Sequence, residues 1–169
     1  MTETAFILLG SNMGDREKNL ASAISRIEAI PGFELTGVSS VYVSEADDMD
    51  KGSPSFLNQV VMGDYQYRPN ELLAALEAIE KQLGRTGKGK NQPRTIDLDI
   101  LLFGNQVVET ERLSIPHRKL LNRPFAMAPL LEIDPQIVHP VVNRPVAEFL
   151  TDEQKQQVLL YRDHVARKF

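Results

Sequence analysis

The chain has 169 residues, which is enough for one ordinary hydrophobic core and short for two. Its 42% hydrophobic and 25% charged residues describe a globular protein. The net charge of −4 argues against a general nucleic-acid binder, and the absence of cysteine excludes disulfide bonds and thiolate metal sites.

The chain also shows no sign of a membrane or export segment. No apolar run approaches the roughly 20 residues of a membrane span, and the first residues lack the basic start and apolar core of a signal peptide. We therefore expect a cytoplasmic protein with neither a membrane nor a nucleic acid as partner. No linker, repeat or low-complexity stretch interrupts the sequence, so one domain over residues 1–169 is expected.

Hydrophobic periodicity and turn residues predict the elements of this domain. Gly10-Ser11-Asn12 ends the first strand, Pro31-Gly32 stops the first helix, and Pro69 suits the first position of the second helix. In chain order the predicted elements are a strand over 5–9, a helix over about 20–30, strands over 33–43 and 56–65, a helix over 69–83, and a strand over about 96–103.

The order β-α-β-β-α-β predicts a ferredoxin-like α+β core, an antiparallel sheet with helices packed on it. A C-terminal extension follows, with a short helix expected over about 124–132 and an apolar segment at 158–160. Many unrelated proteins share this order, and an RNA-recognition module is the main rival because it stacks bases on aromatic residues of its central strands. Two carboxylates at the start of the last strand would repel a phosphate backbone, which argues against that role.

Asp97 and Asp99 are those two carboxylates. Residues two apart in a strand share a face, about 6.6 Å apart along the backbone. Alone, such a pair is more often a solvated strand face. The apolar run that follows indicates a central strand, in which paired carboxylates repel each other unless a divalent cation neutralises them. One face of this strand is predicted to carry Ile96, Leu98, Ile100 and Leu102, and the aspartate face Leu101 and Phe103.

Charge is unevenly distributed around this strand. Residues 85–94, directly before it, contain four basic residues and no acid, and residues 45–50 contain four acids and no base. A basic loop beside a metal site suits a polyanionic small ligand such as a nucleotide. It is equally typical of a flexible, solvated loop, and both interpretations stand on charge alone.

Four motifs occur together in an informative order. They are Gly10-Ser11-Asn12, Phe56-Leu57-Asn58, Pro93-Arg94-Thr95-Ile96-Asp97-Leu98-Asp99-Ile100, and Ile115-Pro116-His117 with Asn122-Arg123-Pro124-Phe125. In this order and spacing the chain resembles the 6-hydroxymethyl-7,8-dihydropterin pyrophosphokinases, from the first strand to about residue 150. The resemblance implies transfer of pyrophosphate from ATP to the hydroxymethyl group of a reduced pterin, with release of AMP, in folate synthesis.

The resemblance also implies partners and residue roles. ATP and a reduced pterin are the expected partners, two Mg²⁺ ions the cofactor, and a monomer or weak dimer the expected state. Asp97 and Asp99 are implied as magnesium ligands, and Arg94, Arg85 and His117 as catalytic residues. ATP binding is implied for Glu80, Lys88, Lys90, Ile100, Leu113, Ser114, Arg118 and Arg123. Pterin binding is implied for Ser44, Glu45, Ala46, Phe56, Asn58 and Phe125.

Without the resemblance, Phe56 and Phe125 fit a role as core aromatic residues, and His117 is as typical of a surface histidine as of a phosphate contact. Two loops also depart from the family's pattern. Loop 44–48 has no proline or glycine, and the basic loop carries lysines and no tryptophan. A pyrophosphokinase for another hydroxymethyl heterocycle and a non-catalytic nucleotide- or pterin-binding relative therefore stand as alternatives.

Overall fold

The computed structural model describes residues 2–44, 55–84 and 95–161. These residues form eight strands and four α-helices, together with short 3-10 turns at Leu120–Asn122 and Val146–Phe149. The strands are β1 (Glu3–Ser11), β2 (Phe33–Val38), β3 (Tyr42–Ser44), β4 (Phe56–Tyr65), β5 (Asp97–Phe103), β6 (Val108–Glu109), β7 (Ser114–Ile115) and β8 (Leu159–Leu160). The helices are α1 (Arg16–Glu28), α2 (Pro69–Gln82), α3 (Pro124–Ile133) and α4 (Asp152–Gln157).

Local sequence signals explain where the two long helices begin. The Asp15 side chain accepts a hydrogen bond from the backbone nitrogen of Lys18 and caps α1. Helix α2 begins at Pro69, and Glu71 accepts from the backbone nitrogen of Arg68, so the first turn satisfies its own donors. Both predicted helices are confirmed, although α1 begins four residues earlier than predicted and ends before Ile30.

The main sheet is antiparallel and has the strand order β5-β1-β4-β3-β8, with β2 also paired to β4. The predicted ferredoxin-like order is therefore confirmed. The predicted strand over 33–43 is divided, because the chain leaves β4 after Val38 and rejoins it at Tyr42. At this break the Ser39 hydroxyl accepts a hydrogen bond of 2.9 Å from the backbone nitrogen of Val60.

Both faces of the sheet are covered. Helices α1 and α2 bury Leu20, Ile27 and Leu76 against one face, in the larger of two apolar clusters. The C-terminal extension covers the other face, where α3 buries Met127 and Leu130. Both faces of β1, β4 and β5 are thus buried, as their nearly continuous apolar sequences require. Across the described ranges no helix has the length and apolar character needed to cross a membrane.

The alternation predicted for β5 fails near its end. Leu102 lies with Leu101 in the cluster under α3, and Phe103 lies in the cluster under α1 and α2, so the faces predicted for Leu102 and Phe103 are wrong. Ile96, Leu98 and Ile100 share the face under α1 and α2, as predicted. The cause is a register shift opposite the step from Phe6 to Ile7, where Leu101 is an extra residue without a partner on β1. Such a bulge moves every following side chain to the other face.

Candidate active site

The two aspartates lie at the first half of β5, on the sheet face that α3 covers further along. Asp97 is the partner of Gly10 on β1, and Gly10 is in turn the partner of Asn58 on β4. Directly opposite residues share a face, so Asp97, Gly10 and Asn58 form one row across three adjacent strands. Asp99, paired with Leu8, begins the next row, and both aspartates are half-buried.

Helix α2 holds the strand between the two aspartates. The side chain of Glu80 is buried, with 5% of its surface exposed, and its Oε2 accepts a hydrogen bond of 2.8 Å from the backbone nitrogen of Leu98. Glu80 therefore supports the strand position that separates the two aspartates.

A cavity of about 360 Å³ adjoins Asp99. Its walls come from α2, β5, the turn between β6 and β7, the segment after β7 and the start of α3. Eight of the residues predicted as ATP-binding, metal-binding or catalytic line it: Glu80, Asp99, Ile100, Leu113, Ser114, His117, Arg118 and Arg123. Tertiary structure thus brings together residues from distant parts of the sequence.

Two hydrogen bonds to main-chain groups of other residues fix the position of His117. Its backbone nitrogen donates to the Leu101 carbonyl at 3.0 Å, and its Nδ1 accepts from the backbone nitrogen of Lys119 at 3.1 Å. Burial lowers the pKa of His117 below its ordinary value of 6.5, with Asp99 acting in the opposite direction and Arg123 and Lys119 lowering it further. The ring is therefore neutral near pH 7, and since Nδ1 is an acceptor, Nε2 carries the proton and can donate.

Arg118 and Ser114 converge on Glu109. Arg118 Nη2 donates to Glu109 Oε2 at 3.2 Å, and Ser114 Oγ donates to Oε1 at 2.8 Å. The Ser114 hydrogen bond is the main cause that lowers the pKa of Glu109; burial opposes it, and the charge and hydrogen bond of Arg118 lower the pKa by smaller amounts. Arg118 thus lies at the cavity wall with an exposed carboxylate as its partner. A phosphate would compete with that carboxylate for the same guanidinium.

The predicted pterin residues cluster on the other side of Gly10. Asn58 is buried, and its Nδ2 donates to Ser44 Oγ at 2.8 Å. The ring of Phe56 lies over Gly10, since a Cβ placed at Gly10 would be 3.5 Å from Phe56 Cδ1 and 3.6 Å from Asn58 Oδ1. Glycine therefore leaves room beside the Phe56 ring and the Asn58 amide.

Phe125 lies at the start of α3 with the guanidinium of Arg123 5.5 Å from its ring centroid. It packs against the apolar cluster beneath α3, whereas Phe56 belongs to neither cluster. Within the described ranges no ring contact joins Phe56 to Phe125. The expectation of core aromatics is thus met in part by Phe125 and not by Phe56.

Six predicted residues lie outside the described residues: Glu45, Ala46, Arg85, Lys88, Lys90 and Arg94.

Sequence reasoning missed how the segments beside the site are anchored. Ser11 Oγ donates to the Thr95 carbonyl at 2.5 Å and accepts from Asn19 Nδ2 at 3.2 Å, so the end of β1 holds the residue two before Asp97. Arg16 donates to the Ser55 carbonyl at 2.8 Å, directly before Phe56. The Gly-Ser-Asn motif was a signal for Ser11, whereas Arg16 shows none in the sequence.

A larger, more open groove of about 1110 Å³ lies on the outer side of the 110–113 turn. It shares Leu73 and the whole 110–113 turn with the smaller cavity but contains neither aspartate nor His117. Its Glu71 caps α2 and its Arg112 is paired with Glu77, so these charged groups already have partners. Of the predicted site residues, the groove contains Leu113 alone, whereas eight line the smaller cavity.

The sequence of this chain is similar to those of known proteins from one family. Residues 6–135 match the pattern of 7,8-dihydro-6-hydroxymethylpterin-pyrophosphokinase (HPPK). The chain is 39% identical over 146 residues to the 2-amino-4-hydroxy-6-hydroxymethyldihydropteridine pyrophosphokinase of Aquifex aeolicus, an alignment that covers 86% of this chain and 89% of the relative. It is 42% identical over 138 residues to the enzyme of the same name from Bacillus subtilis, covering 81% of each chain.

Longer proteins also contain a similar part. The mitochondrial folate synthesis bifunctional protein of Pisum sativum is 42% identical over 131 residues, which are 78% of this chain and 25% of that protein. The crystal structure of wild-type HPPK-DHPS from Plasmodium falciparum with pteroate matches with a TM-score of 0.69 at 14% identity, covering 88% of this chain and 42% of that one. The chain thus corresponds to a minor part of these longer proteins, and at this identity the structural match shows the fold.

Proposed function

The chain belongs to the 7,8-dihydro-6-hydroxymethylpterin-pyrophosphokinase family, and on this premise we propose that it transfers pyrophosphate from ATP to the hydroxymethyl group of 6-hydroxymethyl-7,8-dihydropterin. The product serves folate synthesis. The observation that carries the proposal is the single cavity that joins Asp99, His117 and Arg123 beside the row of Asp97, Gly10 and Asn58. We treat residues 1–169 as one pyrophosphokinase domain, because both apolar clusters share one sheet.

The reaction moves two phosphoryl groups as a unit. The hydroxymethyl oxygen forms a bond to the β-phosphorus of ATP, the bond from that phosphorus to the α,β-bridging oxygen breaks, and AMP leaves. The hydroxyl proton is released to solvent or to a neighbouring base. Such a transfer asks the protein chiefly to align the two oxygens and to stabilise charge on the group between them.

The donor set at the start of β5 fits Mg²⁺. Among residues 2–44, 55–84 and 95–161 no three acidic or histidine side chains gather as a complete metal site. Two carboxylates completed by substrate phosphates are, however, the usual way in which proteins hold this ion. Asp97 and Asp99, on one strand face, are its proposed ligands. When bound there, Mg²⁺ supplies charge neutralisation for the phosphates.

His117, Arg118 and Arg123 are the proposed phosphate contacts among the described cavity residues. The neutral imidazole of His117 donates through Nε2, and the two guanidinium groups supply charge and forked hydrogen bonds. Arg85 and Arg94 stay predictions of additional charge-stabilising contacts, and Lys88 and Lys90 of ATP contacts. Ile100 and Leu113 provide apolar wall beside Ser114, where a flat adenine ring can pack.

The pterin is proposed to bind on the Asn58 side of Gly10. The Phe56 ring offers a face for offset stacking, and Phe125 is proposed for the opposite face. Asn58 carries both a donor and an acceptor on one amide, as does the edge of a pterin ring. Its Nδ2 already donates to Ser44 Oγ, so the amide is oriented before ligand arrives.

A product assay tests the proposed function. The protein is incubated with ATP, magnesium and 6-hydroxymethyl-7,8-dihydropterin, and the nucleotide and pterin products are separated and quantified. AMP and pterin diphosphate formed in equal amounts support the proposal. ADP as the nucleotide product contradicts the mechanism, and pterin binding without turnover favours a binding protein. A cytoplasmic location and a monomeric or weakly dimeric state stay predictions from the sequence.

A further inference from the structure

The carboxylate of Glu132, near the end of α3, accepts four hydrogen bonds, three from Ser40 between β2 and β3 and one from Tyr42 at the start of β3. The backbone nitrogen of Ser40 donates to Oε1 at 3.1 Å and to Oε2 at 3.0 Å, and the Ser40 hydroxyl donates to Oε2 at 3.0 Å. The Tyr42 hydroxyl donates to Oε1 at 2.7 Å. One side chain thus joins segments about 90 residues apart in sequence.

Both ends of this connection carry proposed pterin contacts. Tyr42 is the strand partner of Asn58 and lies two residues before Ser44, which accepts the Asn58 hydrogen bond. Phe125 lies seven residues before Glu132 on the same helix, which is about two turns and places both on one helix face. Glu132 therefore links the helix that carries Phe125 to the strand that orients Asn58.

Strand β3 is short and only partly buried. It is three residues long and lies between β4 and the two-residue strand β8. Its residues are all half-buried, so burial of apolar side chains fixes it less firmly than β1 or β4. A carboxylate with four hydrogen bonds is a strong addition to such a short strand.

We propose that Glu132 is a positioning residue for the pterin, which sets the spacing between Phe125 on α3 and Asn58 with Ser44 on the sheet. The inference rests on the proposed function, since it takes these residues as pterin contacts. A flat ring held from opposite sides tolerates little change in that spacing, because misplacement by about 1 Å can cost much of the gain from orientation. ATP is proposed to bind on the other side of Gly10, at the cavity of Asp99. Of the residues that line this cavity only Arg123 lies at the start of α3, so ATP binding should depend less on this spacing than pterin binding does.

The test compares substrate affinities in three variants. Glu132→Ala is expected to raise the Kd and KM for the pterin about tenfold, from loss of a charged hydrogen-bond acceptor, and to raise the KM for ATP much less. Glu132→Gln keeps the length and one acceptor oxygen, and Ser40 Oγ can turn to accept from its amide, so most of the pterin affinity returns. Glu132→Asp keeps the charge but is one methylene shorter, and its pterin affinity stays low. Glu34→Ala, an exposed glutamate on β2, is the control without effect.

A milder variant, Tyr42→Phe, keeps the inference testable if Glu132→Ala folds poorly. Tyr42→Phe removes one of the four hydrogen bonds and is expected to weaken pterin binding less than Glu132→Ala. Combining the two changes should weaken it no more than Glu132→Ala alone, because both act through the same contact. Full additivity of the two effects would contradict the link.

Amide exchange separates this inference from the proposed function. Residues 40–44 should exchange faster in Glu132→Ala than in the unmodified protein, whether or not the protein acts on a pterin. Unchanged exchange there, or an equal rise in the KM for ATP and for the pterin, overturns the positioning role. Absence of pterin binding in the unmodified protein instead overturns the proposed function.

Discussion

Glu80 of α2 and Leu98 of β5 are joined by a hydrogen bond of 2.8 Å from the Leu98 backbone nitrogen to the buried Glu80 carboxylate. The bond falls between the two aspartates in the sequence and on the opposite sheet face from them. Because Glu80 belongs to the packed helix α2 and Leu98 lies between the two aspartates, this hydrogen bond fixes the strand that carries the aspartates relative to α2. It explains why an acid is tolerated on an otherwise apolar helix face.

Replacing Glu80 should therefore affect both folding and turnover. Glu80→Ala leaves the buried Leu98 nitrogen without this acceptor, at a cost of about 2 kcal/mol in the free energy of unfolding. Urea denaturation measures that cost, and the product assay is expected to show a lower kcat. Glu77→Ala, one turn earlier on α2 and paired with Arg112 near the surface, is the matched control and should cost less. Equal stability of the Glu80 variant and the unmodified protein would contradict the role of this bond.

Replacement of Asp97 or Asp99 should reduce the activity of the protein with little change in its stability. Asp97→Asn and Asp99→Asn keep size and remove the charge that the proposed Mg²⁺ requires. Because a metal ion contributes several kcal/mol of charge stabilisation, each change should reduce kcat/KM about a hundredfold or more. Thermal unfolding without ligands should change little, since both side chains are half-buried at the strand start. Asp152→Asn, on exposed α4, is the control that keeps full activity. Retained activity in either site variant would remove that residue as a metal ligand.

The lowered pKa values of His117 and His139 predict how the stability of the protein depends on pH. Burial is the main cause that lowers the pKa of His117 and of His139 below 6.5. Between the lowered folded-state pKa and 6.5, the unfolded chain binds more protons than the folded one. The free energy of unfolding should thus fall as the pH is lowered through this range and level off below it.

NMR titration and denaturation at several pH values check this dependence. Both folded-state imidazoles are expected to titrate below 6.5. His139→Gln should flatten the dependence of stability on pH without changing the affinity for either substrate, because His139 neither lines the cavity nor belongs to the proposed pterin contacts. Titration of either histidine above 6.5 in the folded protein would contradict the assignment.

Phe56 should matter more for the pterin than for folding. Its ring lies over Gly10 and belongs to neither apolar cluster. Phe56→Ala is expected to weaken pterin binding about tenfold, through lost stacking and apolar contact, with ATP binding unchanged. Isothermal titration with each ligand measures both effects. Phe33→Ala, in the main cluster, should show the reverse, with a loss of about 3–5 kcal/mol in stability and little change in pterin affinity.

Much of the fold was predictable because its signals are local. Helical spacing of apolar residues, the proline at the start of α2 and the run after Asp97 depend on neighbours in sequence, and the structure confirms them. The face change after Leu101 was not predictable, because it arises where β5 carries one residue more than β1 in their pairing. The division between β2 and β3 likewise depends on contacts of Ser39 with β4.

The order of the β-α-β-β-α-β core, the pair of aspartates on one strand face and the membership of the chain in its family can all be read from the amino-acid sequence. They follow from local periodicity and from motifs whose spacing the chain carries directly. The contacts of Glu80 with Leu98, of Ser11 with Thr95 and of Glu132 with Ser40 and Tyr42 become visible in the folded chain alone. Each of these contacts needs the register of a sheet or the approach of a helix to bring distant residues within hydrogen-bond distance, and no local pattern encodes that approach.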